Sequence, residues 1–221
     1  MAKSSVLGSS IARKVAMAIS GLFLISFLAL HFSINLTSVF SEEVFNECSD
    51  FMGYNPLIQY VMQPVLAFGV VFHFVMGFVL EIRNNAARPI SYAKNNGSAN
   101  SSWASRNMII SGSVVLAFLG LHFYDFWFPE MAYKYVEGLP QDPTRYYGEL
   151  VHKFESPVRT GLYCVAFVLL FFHLWHGFNS SMQSVGFNNK FSRSLHKLGY
   201  AFAIIVPFGF VFIALFHHFN H

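Results

Sequence analysis

Five long apolar runs dominate this chain of 221 residues. An α-helix needs about 20 consecutive, mostly apolar residues to cross the hydrocarbon core of a bilayer. The runs cover approximately residues 15–40, 57–82, 107–128, 158–178 and 198–216. Polar connections containing Pro, Gly and Asn separate them. Because backbone polar groups in lipid must be satisfied within the spanning segment, the sequence predicts an all-α, five-helix membrane bundle, with residues 1–221 as a single transmembrane domain.

The composition favours a bilayer as the solvent of this chain. Charged residues make up 11% of the sequence, against about 25% in soluble domains. The net charge of +3 is small, so we expect no nucleic-acid partner. The first run, from Val15 to Phe40, is longer than the apolar part of a cleavable signal peptide, which predicts a retained helix. Cys48 and Cys164 are isolated and indicate neither a disulfide framework nor a metal site.

The connections between the runs carry little further organisation. We identify no internal repeat and no low-complexity tract. The longest connection, residues 129–157, follows the third run, and its length predicts a short surface helix there.

The distribution of basic residues predicts the orientation in the membrane. Lys and Arg prefer cytoplasmic connections. With the N-terminus in the cytoplasm, the outer side holds only four of the fourteen basic residues, namely Lys134, Arg145, Lys153 and Arg159. The inner segments hold Lys3, Arg13, Lys14, Arg83, Arg88, Lys94, Arg106, Lys190, Arg193 and Lys197. We therefore predict a multi-pass protein of the bacterial inner membrane, with its N-terminus inside and its C-terminus outside.

Histidines are the ionisable residues that lie deep in the apolar runs. Ionisable groups within a membrane are costly and usually functional. His31, His73, His122 and His173 each lie about 15 residues beyond the start of their own predicted helix, which corresponds to about 22 Å along the helix axis. Because successive helices run in opposite directions, His31 and His122 share an outer depth. His73 and His173 share an inner depth, about 15 Å away in a core about 30 Å thick.

Two histidine pairs at two depths predict two b-type haems. Neutral imidazole is a common ligand of haem iron, and six-coordinate iron takes one axial ligand from each side of the macrocycle. Helical bundles build such sites from side chains on facing helices. The alternative is a non-redox membrane protein, such as a transporter, whose histidines bridge helices or relay protons. We interpret His217, His218 and His221 as a polar tail that leaves the bilayer rather than a metal site.

The fourth run also carries a family resemblance. The stretch His173-Leu-Trp-His176-Gly177-Phe-Asn-Ser-Ser-Met-Gln183-Ser-Val-Gly186 resembles the fourth helix of the five-helix, dihaem cytochrome b subunits of succinate:quinone oxidoreductases. These subunits are the membrane anchors of succinate dehydrogenases and fumarate reductases. Ser20-Gly21-Leu-Phe before His31 and the run His73-Phe-Val-Met-Gly77 fit the same family, and the resemblance covers essentially the whole chain.

The resemblance implies a set of cofactor-binding residues. It pairs the axial ligands as His31 with His122 and His73 with His173, as the depths also do. It selects His173 rather than His176 as the ligand in the fourth helix, because the family's ligand lies four residues before the glycine. His176 is then expected to bind the cofactor through a propionate or packing contact.

The resemblance also implies the chemistry and the partners. Succinate is oxidised to fumarate, or the reverse, on a separate flavoprotein subunit, and an iron–sulfur subunit passes the electrons to the anchor. The two haem b groups relay them to or from a membrane quinone, such as menaquinone or ubiquinone, within a respiratory chain. This sequence has no dinucleotide-binding fingerprint and no cysteine cluster, so we expect no catalytic residue for succinate in it.

Two features bear on the quinone and on protons. Glu42, Glu43 and Glu47 follow the first run and are candidate acids for quinone chemistry on the outer side, unless they form a solvated acidic loop. Glu81 and Asp125 lie near predicted helix ends, so we expect no carboxylate pathway that moves protons across the bundle. A dihaem cytochrome b of another dehydrogenase, such as a hydrogenase, is the remaining redox alternative.

Overall fold

All regular secondary structure within the described residues is helical. This computed structural model describes residues 9–86, 107–187 and 192–220. The helices within these ranges are α1 (Ser10–Thr37), α2 (Glu42–Tyr54), α3 (Ile58–Ala86), α4 (Met108–Val136), α5 (Arg145–Phe154), α6 (Pro157–Ser184) and α7 (Ser192–Asn220). Helices α1, α3, α4, α6 and α7 are long and apolar enough to cross a membrane. Within the described residues, the prediction of an all-α fold with five helices able to span a membrane is therefore confirmed.

The spanning helices extend beyond most of the predicted limits. The largest extension is in α4, which continues to Val136 rather than ending near residue 128. Helical hydrogen bonds need no apolar side chains, so a helix can continue after the apolar run has ended. Two π-helical segments of α4, Phe123–Trp127 and Ala132–Val136, flank Pro129, which has no N–H to donate. Asp125, expected near a helix end, consequently lies inside α4.

Helices α1, α3, α4 and α6 form a four-helix bundle, and α7 packs against two of them. Helix α1 contacts α3 and α6, and α4 contacts α3 and α6. Helix α7 packs along α6 and α1. Association in lipid depends on close packing, because apolar burial alone does not distinguish a helix from a lipid tail. Gly209 of α7 illustrates this, since its missing side chain makes room for the ring of Phe32 from α1.

Two short helices close one end of the bundle, which we call the α2–α5 end. Helix α5 confirms the short helix predicted in the third connection, whereas α2 was not predicted. Asn46 of α2 donates a hydrogen bond to the Thr144 carbonyl at 3.1 Å and accepts one from the Tyr147 N–H at 2.8 Å. Phe45 and Leu150 are buried in the core cluster beneath these helices. These contacts fasten α2 and α5 to each other.

A group of ion pairs fastens the same end to α4. Glu130 pairs with both Lys134 and Arg145, and Arg145 reaches Glu149 at 2.6 Å. The Lys134 and Arg145 side chains are only 5% and 10% exposed. Burial and the charge of Glu130 raise the pKa of the nearby Tyr146 phenol well above its usual range. Lys134 and Arg145, both on the predicted outer side, are thus paired with carboxylates within the fold.

The expectation of no internal repeat is wrong. Residues 17–32 and 108–123 share the pattern Met-x-Ile-Ser-Gly-x5-Phe-Leu-x-Leu-His-Phe, and both α3 and α6 contain Phe-His-x3-Gly-Phe. In the structure, the two copies of the repeat are α1–α3 and α4–α6. Each consists of a long helix, a short helix and a second long helix. His31 and His122 are 91 positions apart, but His73 and His173 are 100 apart. No single period fits both offsets, which hides the repeat in the sequence.

Candidate dihistidine sites

The structure brings the four intramembrane histidines together in two pairs. The ring centres of His31 on α1 and His122 on α4 are 5.8 Å apart. Those of His73 on α3 and His173 on α6 are 6.3 Å apart. These are the pairs that the sequence predicts. Each pair takes equivalent residues from the two halves of the repeat.

The separation of the pairs follows from contacts along α1 and α4. Ser20 of α1 lies at the level of His73, because its Oγ is 3.0 Å from His73 Nδ1. Ser111 of α4 lies at the level of His173, at 3.4 Å from its Nδ1. Each serine precedes the histidine of its own helix by eleven residues. Eleven residues rise about 16 Å, close to the separation that the sequence predicts.

Both pairs have the spacing of two imidazoles on one metal ion. A metal–imidazole bond is about 2 Å long and the ring centre lies about 1 Å beyond the nitrogen, so two opposed ligands have ring centres about 6 Å apart. The rings within each pair are inclined at 84° and 73°. Within the part of the chain that the structure describes, no three His, Cys, Asp or Glu side chains converge as a metal site. Haem iron needs only two protein ligands, and these residues fit that ligand set.

Aromatic rings surround the His31–His122 pair. His31 stacks on Phe27, with ring centres 5.5 Å apart, and lies 5.8 Å from Phe210 of α7. His122 lies 5.3 Å from the ring of Phe126. Among the described residues, the only hydrogen-bond partner of a ring nitrogen in this pair is Asn35, whose amide nitrogen is 3.5 Å from His31 Nδ1. This level is therefore a predominantly apolar environment.

Hydroxyl groups define the surroundings of the His73–His173 pair. Each imidazole packs against consecutive Ser and Gly residues of a facing helix. These are Ser20-Gly21 for His73 and Ser111-Gly112 for His173. A Cβ atom added to either glycine would lie 3.4 Å from the Cε1 atom of the histidine. The rings therefore lie directly against the helix surface, within reach of the preceding serine. The two levels thus differ in polarity.

His176 lies beside a cavity at the end of the bundle opposite α2 and α5. It is half-buried and lines an open cavity of about 660 Å³. The remaining lining residues are Trp175, Asn179, Ser180, Gln183, His196 and Tyr200. His196 and Asn179 are hydrogen-bonded across it. The lining is polar and aromatic. A contact between His176 and a haem propionate stays a prediction.

The candidate quinone acids lie on the surface of the α2–α5 end. Glu42, Glu43 and Glu47 are all exposed on α2. At the same end is an open cleft of about 550 Å³ that the sequence did not indicate. Its lining residues are Tyr124, His152, Lys153, Glu155, Ser156 and Arg159. His152 Nδ1 lies 3.1 Å from Glu155 Oε2, so the cleft also contains groups able to exchange protons.

A buried carboxylate lies one helical turn beyond His122. The Asp125 side chain has no exposed surface, pairs with Arg159 of α6 and accepts a hydrogen bond from the Tyr163 hydroxyl at 2.9 Å. Sequence reasoning placed Asp125 near a helix end and gave it no role. The signal that could have identified it is an acid three residues after a candidate ligand histidine.

The histidines near the C-terminus do not form a polar tail, which corrects that expectation. Helix α7 continues to Asn220 and carries His217 into the core, where its Nε2 lies 2.9 Å from Ser38 Oγ. His218 Nδ1 donates to the Phe154 carbonyl at 2.8 Å. Both histidines therefore join α7 to the α2–α5 end, and His221 lies outside the described residues.

Comparison with known proteins identifies no relative of the chain. It matches no family model, no curated protein and no solved structure. Its function must therefore be inferred from its own residues and their geometry.

Proposed function

We propose that this chain is the dihaem cytochrome b membrane anchor of a succinate:quinone oxidoreductase, either a succinate dehydrogenase or a fumarate reductase. The observation that carries the proposal is the pairing of four intramembrane histidines at two levels, with ring centres 5.8 and 6.3 Å apart. His31 and His122 would hold one haem, and His73 and His173 the other. Each haem iron supplies reversible one-electron chemistry when bound.

The chain's own residues provide two separate electronic environments. The phenylalanines around His31 and His122 exclude water and lower the local polarity. Ser20 and Ser111 add hydrogen bonds to the other pair. Hydrogen bonding and burial both tune the potential of a haem. Two sites about 16 Å apart along α1 and α4 are suited to electron transfer across the bundle.

The proposal requires partner subunits, because the chain lacks an electron donor of its own. A flavoprotein and an iron–sulfur subunit would dock on the cytoplasmic side, where the predicted orientation places ten of the fourteen Lys and Arg residues. Membrane lipid would surround the spanning helices, and a quinone would exchange electrons at the outer level. We propose that the protein lies in a bacterial inner membrane, with its N-terminus in the cytoplasm.

The test is a reduced-minus-oxidised spectrum of the purified protein, with haem quantification and identification of co-purifying subunits. We expect two low-spin haem b groups for each chain, together with a flavoprotein and an iron–sulfur protein. A preparation without a Soret band would favour the transporter alternative. Two haems with a hydrogenase in place of the flavoprotein would favour a cytochrome b of that other class.

Charge reversal on the cytoplasmic side should weaken assembly. We expect the triple variant Arg83→Glu, Arg88→Glu and Arg193→Glu to lower affinity for the soluble subunits by at least about tenfold at low salt, because like charges would then face each other. Subunit retention during purification and its salt dependence measure this. Lys153→Glu on the opposite side is the control. If the triple variant holds its partners as tightly as this control, docking does not depend on these charges.

The acidic side chains of α2 provide a test of the quinone site. General acid or base catalysis contributes about 100-fold or more to a rate. If one of Glu42, Glu43 and Glu47 exchanges the quinone proton, its replacement by Gln should lower quinone-linked turnover by about that factor. Turnover with an artificial acceptor should stay unchanged, because the earlier electron transfers are intact.

The cleft at the same end provides the comparison. His152→Gln removes its imidazole at an exposed position and leaves the spanning helices unaltered. If quinone-linked turnover is normal in all three glutamate variants but lower in His152→Gln, the quinone site lies in the cleft rather than on α2. Normal turnover in all four would remove both from the quinone reaction.

A further inference from the structure

We propose that Ser20 and Ser111 are positioning residues that hold His73 and His173 with the proton on Nδ1, so that each ring presents its Nε2 lone pair to the bundle interior. This inference rests on the proposed function, because it assigns what the two serines do for one haem site. It concerns the His73–His173 level alone.

The hydrogen bonds of the serines determine which ring nitrogen carries the proton. A serine hydroxyl has one hydrogen to donate and two lone pairs that accept. Ser20 Oγ donates its hydrogen to the Met17 carbonyl at 2.8 Å, and Ser111 Oγ donates to the Met108 carbonyl at 3.0 Å. Each oxygen can then only accept from the histidine beside it. Nδ1 is therefore the protonated nitrogen of both rings.

The consequence is a matched pair of metal ligands. A neutral imidazole protonated at Nδ1 has its lone pair on Nε2, the nitrogen farther from the ring's attachment to the chain. A hydrogen bond from Nδ1–H also orients a ligand ring and increases its basicity. Ser20 and Ser111 are both buried, at 8% exposure, so water does not compete for these bonds.

The internal repeat supports the assignment independently. Ser20 and Ser111 occupy the same position in the repeated pattern, and so do Met17 and Met108, which accept their hydroxyl hydrogens. The two histidines they contact are also equivalent. The same three-residue arrangement therefore occurs twice, on opposite sides of one pair. Helices α1 and α4, which carry the ligands of one level, thus hold the ligands of the other level in place.

The test compares Ser20→Ala and Ser111→Ala by potentiometric titration of the two haems. We expect the midpoint potential of the His73–His173 haem to rise, because a less basic imidazole stabilises oxidised iron less. The potential of the other haem should stay unchanged. Each substitution should also lower haem affinity at the affected site by about tenfold. Ser20→Thr and Ser111→Thr keep the hydroxyl and should restore the wild-type potential.

The chain supplies matched controls for both serines. Ser26 and Ser113 lie on the same helices and donate to the Phe23 and Ile109 carbonyls, but both are exposed and neither contacts a histidine. Ser26→Ala and Ser113→Ala should leave both potentials and both haem affinities at wild-type values. If Ser20→Ala and Ser111→Ala change the midpoint potential and haem affinity no more than these control variants do, the inference is overturned.

Two further outcomes keep the inference separate from the proposed function. A wild-type protein that binds no haem would refute the function, whereas two haems with insensitive potentials would refute only the role of the serines. If an alanine variant fails to assemble, the cysteine variant keeps the volume with a much weaker acceptor. An upward shift in that variant supports the inference, and an unchanged potential overturns it.

Discussion

Replacing His122 with Ala should remove one haem and leave the other spectroscopically intact. The two histidine levels are eleven residues apart along α1, or about 16 Å, and a stiff helix cannot shift by that distance to supply a substitute ligand. His122→Ala should therefore lose the low-spin signal of the His31–His122 haem alone, and His173→Ala that of the His73–His173 haem alone. Pyridine haemochrome quantification should give one haem per chain in place of two.

His176→Ala is the control for this pairing. His176 is three residues from His173 on the same helix, but lines an open cavity at the bundle surface. We expect this variant to keep both low-spin haems, with at most a change in one midpoint potential. Each variant must first be shown to retain its helical content and monodispersity. A folded His176→Ala protein that loses a low-spin haem while His173→Ala keeps both would refute the choice of ligand in α6.

Removing Arg159 should destabilise the protein more than removing Asp125. Asp125 has no exposed surface, whereas Arg159 is 30% exposed at the bundle end. Arg159→Leu leaves a buried carboxylate with only the Tyr163 hydroxyl to stabilise it, at an expected cost of about 3–5 kcal/mol. Asp125→Asn leaves Arg159 without its partner, but this arginine is partly exposed and can turn toward water. The loss of stability in Asp125→Asn should therefore be smaller. Thermal unfolding in detergent measures both.

The double variant tests the coupling between these residues. Asp125→Asn combined with Arg159→Leu should be more stable than Arg159→Leu alone, because the unpaired charge is then absent. Lys153→Leu is the control, since this half-buried lysine of the same cleft forms no ion pair among the described residues. Equal losses in Arg159→Leu and Lys153→Leu would contradict a structural role for the buried pair.

The sequence determined the class of fold and the candidate ligands. Continuous apolar runs of about 20 residues or more match a spanning helix rather than a spanning strand, and a helix satisfies its own backbone hydrogen bonds in lipid, so five helices followed directly. The depth of each histidine follows from its distance along a helix with a constant rise per residue. Pairing by depth therefore needed no tertiary information, and the structure brings the same residues together.

The tertiary structure decided what depends on contacts between distant residues. Ser20 and His73 are 53 positions apart, and Asp125 and Arg159 are 34 apart. No local pattern reveals which partner a given serine or acid meets, because this depends on how each helix is rotated about its own axis. The burial of His217 has the same origin, since it required α7 to continue past its apolar run and pack against Ser38. Helix length and residue depth are local properties of the chain, whereas side-chain partnership arises only once the helices are packed.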